Sequence, residues 1–220
     1  HQDTPPYEVA TQVWFDQHLK GIFQMPKTPE LNLLLKKGKP PVVTVRVDQS
    51  KSVEFVDVFY TQHGQVDGGK NDMTNTKNRF WHHAAIPVGK GKSAVHIHLP
   101  SVDKPLWVYA NVRYKLEKPI SGAGYYYGSY TANSFNLSSL MKTVTVAELK
   151  KAGTVSTLKP TSLIEDFKGD WKKEWFTYKV EKWGIKTHKP YSPVWAPSKN
   201  GSLCFEVRAQ MANNMTAGMD

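Results

Sequence analysis

The side chains that could act in catalysis do not form a recognisable hydrolase motif. The nucleophile elbow of α/β-hydrolases, Gly-x-Ser-x-Gly at a strand-to-helix turn, is absent from the 220 residues. Ser129 follows a glycine, but the next three residues are Tyr-Thr-Ala, in a context typical of β-structure. The single cysteine, Cys204, lies in an alternating apolar pattern that predicts a buried structural thiol. We therefore expect no complete active site in this chain.

Four histidines have the spacing of possible metal ligands. His96 and His98 are two residues apart on a predicted strand, so both rings leave the same face of the sheet. His82 or His83, from another strand, could supply a third nitrogen ligand, for which zinc is the usual metal. No carboxylate partner is evident beside them. We interpret these histidines as exposed residues of a sheet face, so the sequence predicts no metal and no cofactor, and a zinc site is the alternative.

Two groups of aromatic residues could bind sugars, because aromatic rings offer flat apolar faces whose polar tips stay solvated. Tyr125, Tyr126 and Tyr127 lie in a glycine-rich turn. Four tryptophans follow in the C-terminal part of the chain: Trp171, Trp175, Trp183 and Trp195. A carbohydrate-binding platform is one interpretation. Core packing is the other, and we expect at least two of the four tryptophans to be buried, since large side chains fill a small sandwich.

Composition favours a folded chain and disfavours several classes of partner. Hydrophobic residues make up 40% of the chain and aromatic residues 12%, which is enough for one generous core or two small ones. No apolar run is long enough to span a membrane, and the first residues lack the layout of a signal peptide. One cysteine excludes an intrachain disulfide. We expect a piece of a longer polypeptide, with no membrane partner.

The surface chemistry suggested by the sequence is basic. The net charge is +10, but the lysines are spread among acidic residues without a nucleic-acid motif, so we expect no nucleic-acid partner. The same long-range field leaves an affinity for sulfated or uronic polysaccharides open. Asn136, Asn200 and Asn214 each open a triplet that fits the N-glycosylation pattern, but such triplets also arise by chance.

The clearest helix signals lie at the start of the chain. Thr4 can act as N-cap, with Pro5 at the first helical position. Apolar residues, Trp14 among them, recur at helical spacing, and Gly21 follows as a stop. The pattern predicts one amphipathic helix over residues 5–20, with Trp14 on its apolar face. Residues 22–40 then read as a connection, with the leucines of 31–35 packed against the protein.

After this connection the hydrophobic period changes from helical to two. Apolar and polar residues alternate at 43–48, 53–60 and 94–99, which predicts half-buried strands. The longest alternating run is Leu106–Leu116, where the even-numbered residues share one face and the odd-numbered residues take the other. Several short strands joined by polar loops predict an antiparallel β-sandwich.

The C-terminal half begins with a short strand and helix. Residues 143–146 predict a strand, and Thr145 and Glu148 have the spacing of a capping box for a helix that ends at Gly153. Residues 154–162, rich in Ser, Thr, Lys and Pro, predict a linker. We expect a second unit from Leu163 onward, with a strand at 203–209.

The N-terminal segment resembles the end of an α/β-hydrolase domain. His-Gln-Asp-Thr-Pro-Pro at 1–6 and Val-Trp-Phe-Asp-Gln-His-Leu-Lys-Gly at 13–21 are similar to the catalytic histidine loop and last helix of that family. The resemblance implies that His1 is the triad histidine. Because the triad order in this family is Ser, then Asp or Glu, then His, the nucleophile and the acid would lie upstream. The upstream hydrolase domain would then be a partner of this chain.

The rest of the chain resembles parts of multidomain esterases. Phe80-Trp81 and Leu-Trp-Val-Tyr-Ala-Asn-Val-Arg-Tyr at 106–114 are similar to the β-rich part that follows the hydrolase domain in bacterial PhoPQ-activated pathogenicity-related proteins. Leu-Ile-Glu-Asp-Phe at 163–167, with the following tryptophans, resembles the opening of a jelly-roll, carbohydrate-binding-like domain. A jelly roll needs about eight strands, so we expect only its start here.

The sequence thus predicts a mainly β protein: an antiparallel β-sandwich with an N-terminal α-helix left from an α/β-hydrolase domain and the start of a jelly-roll-like unit. The predicted division is 1–21 hydrolase end, 22–40 linker, 41–153 sandwich, 154–162 linker and 163–220 second unit. The expected function is that of a C-terminal fragment of a secreted or periplasmic, esterase-like serine hydrolase. The alternative is a non-catalytic carbohydrate-binding module, and a purely structural domain also stays open.

Overall fold

The protein is mainly β, with one short N-terminal helix and two antiparallel sheets. The structure is a computed structural model that describes residues 5–62, 81–86, 93–124, 128–157, 161–169, 176–177, 185–186, 195, 200–208 and 210–211. The helices are α1 (Pro5–Phe15), continued by a π-helical turn at Asp16–Lys20, and α2 (Val146–Lys151). The strands are β1 (Glu30–Leu34), β2 (Val42–Arg46), β3 (Val53–Thr61), β4 (His82–Ile86), β5 (Ser93–His96), β6 (Leu106–Gly124), β7 (Gly128–Ser138), β8 (Lys142–Val144), β9 (Phe176–Thr177) and β10 (Ile185–Lys186).

The strands form the sandwich-like arrangement that the alternating pattern predicts. The smaller main sheet has the order β1-β2-β5, and the larger has the order β4-β3-β6-β7, with β8 paired to β6 beyond the end of β7. All of these pairings are antiparallel. β9 and β10 make a separate two-residue pair. The prediction of a mainly β, antiparallel, sandwich-like fold is therefore confirmed.

One hydrophobic core lies between the sheets, and β6 supplies its central row. The even-numbered residues of β6 from Leu106 to Leu116 are between 0 and 8% exposed, as the alternation predicts. They pack with Val43 and Val45 of β2 and with Phe135 of β7. Burial of large apolar side chains stabilises by roughly 1.5–3 kcal/mol each, so this row makes a substantial contribution to the stability of the sandwich.

Helix α1 is part of the sandwich and packs on the far end of the β6–β7 hairpin. Val9 and Val13 are fully buried there, and Gln12 Nε2 donates to Tyr130 Oη at 2.9 Å. The predicted helix ends as expected at Gly21, whose φ of 65° is the left-handed conformation that glycine adopts without strain. Trp14 is 47% exposed, so the prediction that Trp14 lies on the packed, apolar face of the helix is wrong. The reason is that Val9, Gln12 and Val13 already occupy the face that meets the sheet.

Residues 22–40 contain a strand that the sequence pattern did not reveal. β1 pairs with β2 in register, with Leu31 opposite Val45, and Leu31 is buried as the leucine run suggested. Proline and lysine on either side of a five-residue strand hide its alternation. The segment 22–40, predicted as a connection, therefore also provides an edge strand of the smaller sheet.

Helix α2 begins with the predicted capping box. Glu148 N donates to Thr145 Oγ1 at 3.2 Å, and Thr145 N donates to Glu148 Oε2 at 2.7 Å. Leu149 is fully buried, which attaches the helix to the core. After it, Thr157 N donates to Leu99 O at 3.0 Å, so the described start of the predicted linker 154–162 lies along the end of the smaller sheet.

The described C-terminal residues differ from the prediction. Residues 200–208 form no strand and are all exposed, so the predicted strand at 203–209 is wrong over its described part. Cys204 is exposed, and its prediction as a buried thiol is also wrong. Alternating apolar residues form a strand only where a partner strand offers hydrogen bonds, and no such partner of 200–208 is found among the described residues. Within the described residues, no helix is long and apolar enough to cross a membrane.

Candidate functional site

The face of the larger sheet that points away from the core carries the candidate site. Because side chains alternate along a strand, burying the even-numbered residues of β6 places Tyr109, Asn111 and Arg113 on the opposite side. The register sets Phe59 of β3 opposite Tyr109 and opposite His83 of β4. We call this surface the outer face; its members used below are Phe55, Asp57, Phe59, Trp81, His83, Tyr109, Asn111, Arg113, Asn136 and Ser138.

A continuous row of rings crosses three strands at one end of the outer face. The Phe59 and Tyr109 ring centroids are 5.3 Å apart at an interplanar angle of 22°, and those of Phe59 and His83 are 5.2 Å apart at 32°. Trp81 meets the edge of Tyr109 at 5.2 Å and 77°. Phe59, Trp81 and Tyr109 are half-buried and His83 is exposed. Aromatic pairs of this kind contribute about 0.5–1.5 kcal/mol each, which fixes the row in place.

Polar side chains at the other end of the outer face are held by one another. Arg113 Nε donates to Asn136 Oδ1 at 3.0 Å, and its guanidinium lies 4.3 Å from the centroid of Phe55. Ser138 Oγ donates to Asn111 Oδ1 at 2.6 Å. Each of these pairs joins β6 to a neighbouring strand. The side chains are thus oriented before any ligand arrives.

The carboxylate of the outer face is paired with its histidine. Asp57 Oδ1 lies 2.6 Å from His83 Nε2, and Asp57 is half-buried beside it. Burial raises the pKa of the Tyr109 phenol above its ordinary value, so this hydroxyl keeps its proton and remains a donor at neutral pH. The outer face therefore combines aromatic area, hydrogen-bond donors and acceptors, and the guanidinium of Arg113.

The predicted aromatic and catalytic residues lie mostly outside the described part of the chain. This holds for His1, Tyr125, Tyr126, Tyr127, Trp171, Trp175, Trp183 and Asn214. Trp195 is described: it is half-buried, and its Nε1 donates to Leu163 O at 2.9 Å. That contact joins it to the start of the predicted second unit.

The histidines considered as metal ligands lie on two different sheets. His96 and His98 are exposed beside the smaller sheet, and His98 Nδ1 is 3.3 Å from Thr157 Oγ1. His82 and His83 are on β4 of the larger sheet. Among the residues that the structure describes, no three His, Cys, Asp or Glu side chains are close enough together to hold a metal ion.

The remaining chemical candidates have surface positions. Ser129 is exposed at the start of β7, and Asn200 is exposed in a turn. Asn136, in contrast, is half-buried and accepts from Arg113 through its amide oxygen. A scan against protein-family models, a search of the curated proteins and a search of the solved structures each find no match to this chain. The fold and the site together define a mainly β, sandwich-like protein in which one sheet face carries aromatic and polar side chains.

Sequence reasoning did not identify the outer face as a site, although a signal was present. Phe55 and Phe59 in β3, and Trp107 and Tyr109 in β6, occupy positions that alternate with the core residues. A solvated sheet face normally carries polar residues at such positions. Four large aromatic residues there indicate a face with a further role, which becomes visible once the register brings the two strands together.

Proposed function

We propose that the β-sandwich is a non-catalytic carbohydrate-binding module whose ligand lies on the outer face. The observation that carries this proposal is the row of Trp81, Tyr109, Phe59 and His83 beside oriented polar groups on one sheet face. Sugars have apolar C–H faces and a rim of hydroxyls, so they need aromatic area and hydrogen-bonding groups in the same place.

The preorganisation of the side chains on the outer face supports binding. Its polar side chains already hold each other at 2.6–3.0 Å, so a ligand does not have to immobilise them. Lost rotamer freedom costs about 0.5–1.5 kcal/mol for each side chain ordered on binding, and preorganisation avoids that cost. Asn111, Asp57 and Tyr109 offer the mixture of acceptors and donors that sugar hydroxyls require.

Tyr109→Ala tests this proposal. The purified chain is titrated with a panel of neutral and acidic oligosaccharides while intrinsic fluorescence is recorded, and the affinities are checked by calorimetry. Loss of one aromatic contact, which contributes about 0.5–1.5 kcal/mol, should weaken binding about two- to tenfold. Tyr7→Ala, which removes an exposed tyrosine of α1, is the matched control and should bind normally.

The proposal fails if no oligosaccharide in the panel binds. It also fails if Tyr7→Ala weakens binding as much as Tyr109→Ala does. Urea unfolding of both variants serves as the control for folding, because Tyr109 is half-buried and contributes to packing within the sheet face.

A second candidate function is that of the accessory part of a secreted or periplasmic, esterase-like serine hydrolase. It is favoured by large apolar side chains exposed on the solvent side of the N-terminal helix, whose opposite side already packs on the sandwich. These residues are Tyr7, Trp14, Phe15 and Leu19, and the exposed Ile22 follows just after the helix. In this proposal that side contacts an upstream hydrolase domain, which would supply the nucleophile and the acid for His1.

Expression from the full gene tests the second candidate. The longer product should contain Gly-x-Ser-x-Gly upstream, carry an export signal and hydrolyse simple acyl esters, while the 220-residue chain should not exceed the background rate. A Trp14→Asp substitution in the longer product should weaken the domain contact and lower its melting temperature. Hydrolysis by the 220-residue chain that Ser129→Ala abolishes would contradict this candidate.

A further inference from the structure

The guanidinium of Arg113 on the outer face has no ionic partner among the residues that the structure describes. Within the described residues, Arg113 Nε donates to Asn136 Oδ1 at 3.0 Å and its guanidinium lies 4.3 Å from the centroid of the Phe55 ring. No carboxylate lies within ion-pair distance of it among the described residues, and neither contact uses its two terminal Nη groups. The fork of N–H donors that matches a carboxylate is therefore held in place, and no carboxylate of the described residues occupies it.

The charges around it leave the outer face basic at this end. Asp57 Oδ1 lies 2.6 Å from His83 Nε2, whereas Lys115, two residues beyond Arg113 on the same side of β6, has no ion pair within the described part of the chain. The chain as a whole has a net charge of +10. Both the local and the long-range potential thus attract anions to the Arg113 end.

From these observations we infer that the preferred ligand is an acidic oligosaccharide whose uronate carboxylate is bound by Arg113. This inference rests on the proposed carbohydrate-binding function and specifies its ligand class. Arg113 is four residues from Tyr109 on β6, which corresponds to about 13 Å along an extended strand. An oligosaccharide lying along β6 can therefore place one ring against the aromatic row and a carboxylate of another ring at the Arg113 fork.

A carboxylate fits better than a diffuse polyanion contact. Two contacts fix the guanidinium: the Phe55 ring lies against it, and its Nε donates to the Asn136 amide oxygen. A fixed planar fork favours a bidentate partner of matching geometry, while non-specific attraction needs only mobile lysines. Because Arg113 offers a fixed fork, the expected ligand is one that carries a carboxylate.

Three probes of the same backbone type separate charge from sugar shape. They are an oligogalacturonate, its fully methyl-esterified form and a neutral galacto-oligosaccharide of equal length. We expect the acid form to bind the whole chain about tenfold more tightly than the ester, since a charge-assisted hydrogen-bond pair is lost on esterification. A sulfated galacto-oligosaccharide is the fourth probe and should bind more weakly than the uronate.

Arg113→Gln should remove the preference for the acid form, so that the acid and the ester bind this variant with affinities within about twofold of each other, because the variant lacks the charged fork. Arg46→Gln removes an exposed arginine of the smaller sheet and is the matched control; it should keep the preference. Arg113→Lys keeps the charge without the fork and should retain part of the preference. Urea unfolding verifies that each variant is folded, and the lysine variant carries the test if the glutamine variant is not.

The outcomes distinguish this inference from the function on which it rests. If acid, ester and neutral forms bind equally and Tyr109→Ala weakens all three, the ligand class is wrong and the carbohydrate-binding function stands. If none of the probes binds, the proposed function itself fails. Equal loss of the acid preference in Arg113→Gln and Arg46→Gln, or tighter binding of the sulfated probe, overturns the assignment of a carboxylate to Arg113.

Discussion

Substitution of Val108 by aspartate is the sharpest test of the core. Val108 is fully buried near the start of β6, where that strand lies between β3 and β8. Its side chain points into the cluster that joins both sheets. A carboxylate at this position would have no charged partner and no water, so the folded protein would have to hold it in its protonated form.

The size of the effect follows from the cost of protonation. A fully buried carboxyl has its pKa raised by roughly 3–5 units, to about 7 or above. Protonation at pH 7 of a group whose unfolded pKa is about 3.9 costs about 4 kcal/mol. Loss of the buried valine adds roughly 1.5–3 kcal/mol. The sum, about 6 kcal/mol, is close to the whole stability of a typical domain.

Urea denaturation between pH 4 and pH 7 measures this cost. Because the folded pKa of the new carboxyl is raised, the variant loses stability relative to wild type as the pH rises above about 4. Val108→Thr, nearly isosteric, should cost about 1–3 kcal/mol without this pH dependence, and it keeps the test valid if the aspartate variant does not fold. Lys115→Thr, exposed on the same strand, should stay within about 0.5 kcal/mol.

A penalty below about 1 kcal/mol for Val108→Asp, or the same penalty at both pH values, would refute the burial of residue 108. So would a Lys115→Thr variant that is destabilised as much as Val108→Thr. Either result would mean that β6 presents a different face to the core, and the assignment of the outer face would be lost with it.

Three further predictions concern single side chains. Burial raises the pKa of Tyr114 to about 12, so its contribution to stability is present below pH 10 and is lost between pH 10 and 12; Tyr114→Phe should abolish an alkaline loss of about 3 kcal/mol in unfolding experiments. Thr145→Ala removes the capping box of α2 and should cost about 1 kcal/mol in urea, whereas the exposed Thr143→Ala should be neutral. Cys204 should react fully and rapidly with a thiol reagent in the native protein, and slow labelling that needs denaturant would contradict its exposure.

The features predicted correctly from the sequence are those with strong local chemistry. The alternation of Leu106–Leu116 identified the central strand and its buried face, because burial on one side imposes a period of two. The Thr145–Glu148 spacing located the start of α2, because the capping box is made by residues three apart. Gly21 likewise ended the first helix through its left-handed conformation.

The features that failed depend on tertiary partners. Trp14 has the spacing of an apolar-face residue, but which face of α1 meets the sheet is decided by the β6–β7 hairpin, where Gly122 and Tyr130 leave room for Gln12. The segment 200–208 alternates like a strand, but the part of the chain that the structure describes contains no strand paired with it. Prediction of the outer face would have required the register between β3 and β6. The alternating patterns of the two strands do not specify that register.

Chemical-shift mapping of the isotope-labelled chain with an oligogalacturonate tests the central claim most directly. The carbohydrate-binding account predicts that the backbone signals of Phe59, Tyr109 and Arg113 and the indole signal of Trp81 shift together as ligand is added. Signals of Val43 and Val45, in the other sheet, should stay unchanged. Shifts confined to residues 125–127 or to the tryptophans of 171–195, or no shift with acidic and neutral oligosaccharides alike, would contradict the assignment of the outer face as the binding site.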